Sequence, residues 1–261
     1  MLLNITNNRL TFFAKEMDKK DREEILAELG TLGMEPQWRS NAVITLQRSF
    51  EDVQKHDTAG ETTALILMLE QADAELPVRI ESALIGDSSF MVLRNGKKFY
   101  RAANSMYDEF NPCYVASRYE WESIKEKVVL KSLEVEEGDL VVAGSDGFWD
   151  NLYDNQIVDV INLQKELLAS DEETEKESNE KQTKSEKEEG TGKEKEKRKG
   201  RDGLDLTELA NALAQEAYLS SISHKPGPFA GDVQEGGKAT YVYGGKPDDI
   251  TVIVSEVHAI R

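Results

Sequence analysis

Gly138-Asp139-Leu140-Val141-Val142-Ala143-Gly144-Ser145-Asp146-Gly147-Phe148-Trp149-Asp150-Asn151 is the stretch on which the fold turns. Leu140 to Ala143 is short, apolar and partly β-branched, which predicts a buried strand. It stops at Ser145-Asp146-Gly147, where glycine permits a tight turn and Asp146 sits at the carboxyl end of the strand. Asp150 follows four residues later, just ahead of a helix-like segment. Two carboxylates rising together from a rigid strand can share a hard cation. A strand, an Asp-Gly turn and a helix cap account for the same residues with no ligand at all. Two other places repeat the form: Gly86-Asp87-Ser88, and Pro247-Asp248-Asp249-Ile250-Thr251, each an aspartate beside a strand-like run.

Working outward, residues 127–135 predict a strand that pairs with Leu140 to Ala143 across Glu136-Glu137-Gly138-Asp139. Val78 to Ile85, Phe90 to Leu93 and Lys98 to Tyr100 read as three strands of one antiparallel meander, the last two joined at Asn95-Gly96, a strong hairpin signal. Ala64 to Leu69 is an unbroken apolar run that favours a buried strand. Helices are expected over 19–29, stopped by Gly30, over about 40–55, over 154–168, and over 204–219 with Leu206, Leu209, Leu213 and Ala217 on one face. Ile250 to Val254 is the final strand. Strands at both ends with helices between them indicate an α+β chain of antiparallel sheets flanked by helices.

The chain has 261 residues and a formal charge of −18. Residues 165–202 hold 13 acidic and 11 basic residues, so nearly all of that charge belongs to the remainder, with 37 acidic against 21 basic. An acidic folded part argues against nucleic acid and against anionic membrane surfaces as partners, and no apolar run approaches the length of a membrane span. Cys113 is the single cysteine, and the histidines (His56, His224, His258) are scattered. A reducing, intracellular setting follows as the expectation, cytoplasmic or mitochondrial, with no disulfide and no cysteine-based zinc cluster. Residues 165–203 are rich in Lys, Glu, Ser, Thr and Gly with almost nothing to bury, and read as a charged, disordered insertion whose partner the sequence does not name. Residues 1–38 read as a helical stretch with no assigned role.

Gly231 to Lys238 imitates a phosphate-binding glycine loop but has one residue too many before the lysine, and Ala239 stands where Ser or Thr is required. No nucleophile context accompanies the histidines. The aspartates are what remains. Asp87, Asp146, Asp150 and Asp248 all lie at strand ends or adjoining turns, and carboxylates without His or Cys suit Mg²⁺ or Mn²⁺. A pair of such ions can polarise a phosphoryl oxygen and activate water.

Gly86-Asp87-Ser88, Ser145-Asp146-Gly147-Phe148-Trp149-Asp150 and Lys246-Pro247-Asp248-Asp249-Ile250-Thr251, in that order, resemble the later motifs of the type 2C (PPM) metal-dependent protein Ser/Thr phosphatases. The Gly-Gly-Lys-Pro-Asp-Asp-Ile-Thr form is similar to the mitochondrial and plastid-type subgroup, as is Pro228-Phe229-Ala230. Gly60-Glu61-Thr62-Thr63-Ala64 resembles the family's entry to an early strand. The resemblance covers residues 39–164 and 204–257. It implies an αββα sandwich with a dinuclear metal site at one end and a phosphoserine or phosphothreonine protein as substrate. It also implies that Asp146 and Asp248 are metal ligands, that Asp87 and Asp150 hold a third, weaker ion, and that Asp249 stands behind the ligands. The family's Asp-Gly-x-Gly-Gly turn, whose aspartate bridges two metals, occurs nowhere in the 261 residues. The expectation is therefore an N-terminally incomplete phosphatase, weak or inactive as written. The alternative is a pseudophosphatase acting as a binding or regulatory module.

Overall fold

A computed structural model of the chain describes residues 2–6, 9–13, 40–56, 59–70, 77–108, 111–167, 204–229 and 244–258. The helix expected at 19–29, the glycine loop at 231–238 and nearly all of the charged insertion lie outside these residues.

Two antiparallel sheets form the centre. The first contains β1 (Leu2–Thr6), β2 (Arg9–Phe13), β3 (Ala64–Glu70), β4 (Arg79–Ile85) and β7 (Val129–Glu134), in the order β2-β1-β3-β4-β7. The second contains β5 (Ser89–Arg94), β6 (Lys97–Arg101), β8 (Leu140–Gly144) and β9 (Val252–Glu256), in the order β6-β5-β8-β9. Side chains alternate across each sheet, as the two-residue period of a strand requires. Leu65, Ile80, Leu84, Phe90, Val92 and Ala143 meet in the space between the sheets. Ile66 and Ala83 face outward onto α1 (Asn41–Lys55) through Ala42, Val43 and Leu46, beside Trp121 of the short α2 (Trp121–Lys125). Met91, Leu93, Leu140 and Val142 face the other way, onto α4 (residues 154–167) and α5 (Leu206–Ser221). The layers are helix, sheet, sheet, helix. Because β5 and β8 are covered on both faces, their sequences are continuous apolar runs rather than alternating ones.

The helices begin where short polar side chains can cap them. Ser40 accepts from the Val43 N–H, and Asp205 accepts from the Thr207 and Glu208 N–H groups. Leu209, Leu213 and Ala217, four residues apart, are the buried stripe of α5. Among the described residues no helix is long and apolar enough to cross a membrane.

Three expectations about pairing are corrected. The run 78–85, 90–93, 98–100 is no meander, because β4 and β5 belong to different sheets. Of these three strands β5 and β6 form a hairpin, with Asn95 at φ 52° and Gly96 at φ 71°, the twist a two-residue turn needs. Likewise β7 pairs with β4, whereas β8 pairs with β5 and β9, so Glu136 to Asp139 carries the chain between sheets instead of closing a hairpin. Asp139, 1 % exposed, holds that crossing: its carboxylate receives Arg94 Nε at 3.0 Å, Arg94 Nη2 at 2.8 Å and the Glu136 N–H at 2.9 Å. Finally, the described part of residues 1–38 is strand and not helix. β1 pairs with β2 along its length and with β3 at Leu2–Ile66 and Leu3–Leu65, joining a sheet edge that presents free main-chain donors and acceptors.

Candidate metal centre

The crossing from β4 to β5 is made by Gly86-Asp87-Ser88. Gly86 has φ +105°, and a Cβ there would lie 2.3 Å from Thr63 Cγ2, so glycine alone lets this turn close against the start of β3. Ser88 Oγ and Thr63 Oγ1 are 2.9 Å apart across the same junction. Asp87 is thereby set at the rim between the two sheets.

At the end of β8 the chain makes one helical turn, α3 (Asp146–Trp149), with Asp150 as its C-cap. The four-residue spacing places Asp146 and Asp150 on one side of that turn. Phe148 and Trp149 point into the core and anchor it, and the Trp149 indole donates to Gly144 O at 3.0 Å and Ser89 O at 3.2 Å. The segment 244–251 lies against this turn. Ser145 Oγ donates to Asp249 O at 2.9 Å and accepts from the Thr251 N–H at 3.1 Å. Gly147 permits the approach, since a Cβ there would stand 2.6 Å from Asp249 O.

A cleft of about 330 Å³ results, lined by Asp87, Asp146, Asp248 and Asp249 together with Glu61, Thr62, Thr63, Ser88, Pro112, Ser145 and Thr251. Three of the four expected ligands converge on one cation, and it belongs to the chain itself. Lys246 Nζ is 2.7 Å from Asp150 Oδ2, 3.0 Å from Asp146 Oδ2 and 3.4 Å from Asp248 Oδ2. Asp146 and Asp248 each accept with the other oxygen from the next residue's N–H, at 2.9 and 2.8 Å. That fixes each carboxylate and leaves Oδ2 to face the cation. Asp87 lines the same cleft, and Asp249 acts through its main chain. Among the described residues no three carboxylate, imidazole or thiolate groups already stand at metal-ligand spacing. The donor chemistry nonetheless fits a hard divalent ion: the groups are all oxygen, and an ammonium shows that Asp146, Asp150 and Asp248 can surround one positive charge.

Burial, then the neighbouring charge of Asp146, pushes Asp87 up to about 6. Burial also raises Asp150, against the opposing hydrogen bond and charge of Lys246. For Lys246 burial works against the charged form, but the hydrogen bonds and charges of Asp150 and Asp146 outweigh it and raise its pKa. A measurable consequence follows for Asp87. The folded chain binds this proton more tightly than the unfolded chain does, so stability falls as pH rises from about 4 through 6. Without metal, Asp87→Asn should therefore be more stable than the wild type by about 1–2 kcal/mol above pH 6, a figure reduced for partial solvent screening. The advantage should shrink to nothing near pH 4. Urea unfolding in a chelator at several pH values checks this, and a variant less stable at pH 7.5 would refute it.

Two residues of the site carry little signal in the sequence. Lys246 sits in the motif as a spacer before Asp248. Asn151, 1 % exposed, donates to Gly147 O and to Lys246 O, both at 2.8 Å, and accepts the Lys246 N–H at 2.9 Å. It binds the α3 turn to the 244–250 segment. The run Asp150-Asn151 hints at a buried amide only once its partner Lys246, 95 residues away, is known.

No family model matches the chain. It is 29 % identical over 213 residues to a protein phosphatase 2C of rice (Oryza sativa subsp. japonica), a match covering 80 % of this chain and 54 % of the relative. To the protein phosphatase PTC7 homolog fig of Drosophila ananassae it is 28 % identical over 221 residues, covering 81 % and 55 %. To that of Drosophila willistoni it is 30 % identical over 206 residues, covering 76 % and 53 %. The chain thus spans about half the length of these relatives. Among solved structures, the photosystem II phosphatase PBCP superposes with a TM-score of 0.58 at 22 % identity, over 92 % of this chain and 77 % of that one, which establishes the shared sandwich fold. In its ordered motifs, its layered sheets and these relatives together, the chain is similar to the type 2C (PPM) family of protein serine/threonine phosphatases.

Proposed function

We propose that this chain carries the carboxylate side of a metal-dependent phosphomonoester hydrolase whose substrates are phosphoserine and phosphothreonine in proteins. The observation that carries the reading is the convergence of Asp87, Asp146 and Asp248 at one cleft, and of Asp146, Asp150 and Asp248 around a single positive charge. Asp146 and Asp248 would hold Mg²⁺ or Mn²⁺, with Asp87 on the same cleft and Asp150 beside Asp146 on the α3 turn. Bound there, the metal supplies a Lewis acid for a phosphoryl oxygen and a water of lowered pKa. The chain's own part is to preset the geometry. The Gly147 and Asp249 N–H groups orient the two carboxylates, Ser145 and Asn151 hold the two segments together, and Thr62, Thr63 and Ser88 line the cleft with hydroxyls.

Calorimetric titration with Mn²⁺ tests the assignment. Asp146→Asn should weaken binding about tenfold or more, because it removes a charged ligand, whereas Asp249→Asn should change it little. Equal losses from both would place the site wrongly.

A second reading, a pseudophosphatase that binds phosphoproteins without turnover, is favoured by one pair of observations. Lys246 already stands as counter-ion to three of the carboxylates, and residues 1–261 hold no Asp-Gly-x-Gly-Gly.

A further inference from the structure

Lys246 is delivered to the carboxylates by a built loop. Asn151 clamps its main chain on both sides. The Gly245 N–H donates to Ser223 O at 3.0 Å, and Gly244 and Gly245 press so closely on the end of α5 that a Cβ on Gly245 would lie 2.1 Å from Ser220 O. The ammonium stands 5.0 Å from the centroid of the Phe229 ring, and the side chain is only 28 % exposed. Its three N–H donors face three carboxylates. A solvated surface lysine has no need of such support.

From this placement we propose that Lys246 is a resident cation, occupying the position that Asp146 and Asp150 share and excluding a divalent ion from it. The inference rests on the reading of these carboxylates as metal ligands. A divalent ion bound by Asp146 Oδ2 and Asp150 Oδ2 would need both oxygens at about 2.0–2.2 Å, and the ammonium already lies between them at 3.0 and 2.7 Å. The two cations cannot share that point, and at so short a range they repel strongly. Lys246 also screens carboxylates that would otherwise repel one another, so the cleft stays assembled without metal. The consequence is a site whose metal capacity is set partly by a side chain: the Asp146–Asp150 edge is closed to an ion, and Asp248, whose Oδ2 stands farthest from the ammonium at 3.4 Å, is the least engaged of the three carboxylates.

The test compares the full chain with Lys246→Met, Lys246→Gln and the double variant Lys246→Met/Asp150→Asn. Mn²⁺ binding is read by calorimetry and by the paramagnetic resonance of free Mn²⁺, and melting is read with and without the ion. Each Lys246 variant should bind Mn²⁺ at least about tenfold more tightly, or take up one additional ion, as expected when a competing charge is removed. Each should also melt lower in chelator and gain more from Mn²⁺ than the wild type. The double variant should lose the added binding. A wild type that binds Mn²⁺ through Asp146, beside Lys246 variants with unchanged isotherms, overturns this inference alone. So does a gain that survives in the double variant. Flat titrations for every chain overturn it together with the metal reading.

Discussion

In the presence of Mn²⁺, residues 1–261 should hydrolyse p-nitrophenyl phosphate or a phosphothreonine peptide several powers of ten more slowly than a type 2C phosphatase that carries an Asp-Gly-x-Gly-Gly turn. Two features of the chain lead there. Its carboxylates approach one rim, but no aspartate of the family's bridging motif occurs in the sequence to hold two ions at a fixed separation. Lys246 in addition occupies one edge of the set. Metal activation and in-line positioning of the attacking water are then lost together, and each is worth several orders of magnitude in rate. Steady-state assays with and without chelator measure this. Asp146→Ala should abolish whatever turnover remains. Rapid turnover that depends on Asp146 would mean that another group of the chain does the bridging aspartate's work, and it would sink the pseudophosphatase reading.

Phe148→Ala should be the most destabilising of the simple truncations, costing about 3–5 kcal/mol. Phe148 is fully buried, lies edge-to-face with Trp149 at 4.7 Å between centroids, and packs with Leu152, Ile157 and Leu213 beneath the second sheet. Its loss leaves a cavity directly under α3, the turn that carries Asp146 and Asp150. For a chain of this size the melting midpoint should fall on the order of 10 °C. The variant's Mn²⁺ affinity should fall as well, because the turn rests on Phe148 and Trp149 from below, with Ser145 and Asn151 tying it from the side. A midpoint within 2–3 °C of the wild type, by the same scaling, would show that the turn is anchored elsewhere.

Much of the site is legible in the residues themselves. Asp146 and Asp150 are four apart beside a strand end, and that spacing alone puts them on one side of a helical turn. Gly86 before Asp87 and Gly147 after Asp146 mark places where the backbone must bend or be approached closely, and the structure gives both glycines such a reason. The helices at 41–55 and 206–221 follow from capping residues and a 3.6-residue apolar period. These are local properties, decided within a few residues by sterics and hydrogen bonding.

Sheet partnership was not local, and there the sequence misleads. Val129–Glu134 and Leu140–Gly144 are neighbours along the chain and both strand-like, yet they lie in different sheets. What separates them is the buried pair of Asp139 with Arg94, 45 residues apart, which turns the chain across the sandwich. Nothing in the alternation of either strand encodes which sheet it joins, since β8 is apolar on both faces and would suit either. Lys246 is the sharpest case. As a residue it is an ordinary lysine in an acidic chain. Only the tertiary structure, which brings the 244–250 segment onto the α3 turn through Ser145 and Asn151, makes it the counter-ion of Asp146 and Asp150 as well as of Asp248, two residues on in the same segment. The sequence by itself determined which residues have the chemistry to hold a cation. The fold decided which cation they meet, because an electrostatic contact depends on distances of a few ångströms between residues that the chain keeps about a hundred positions apart.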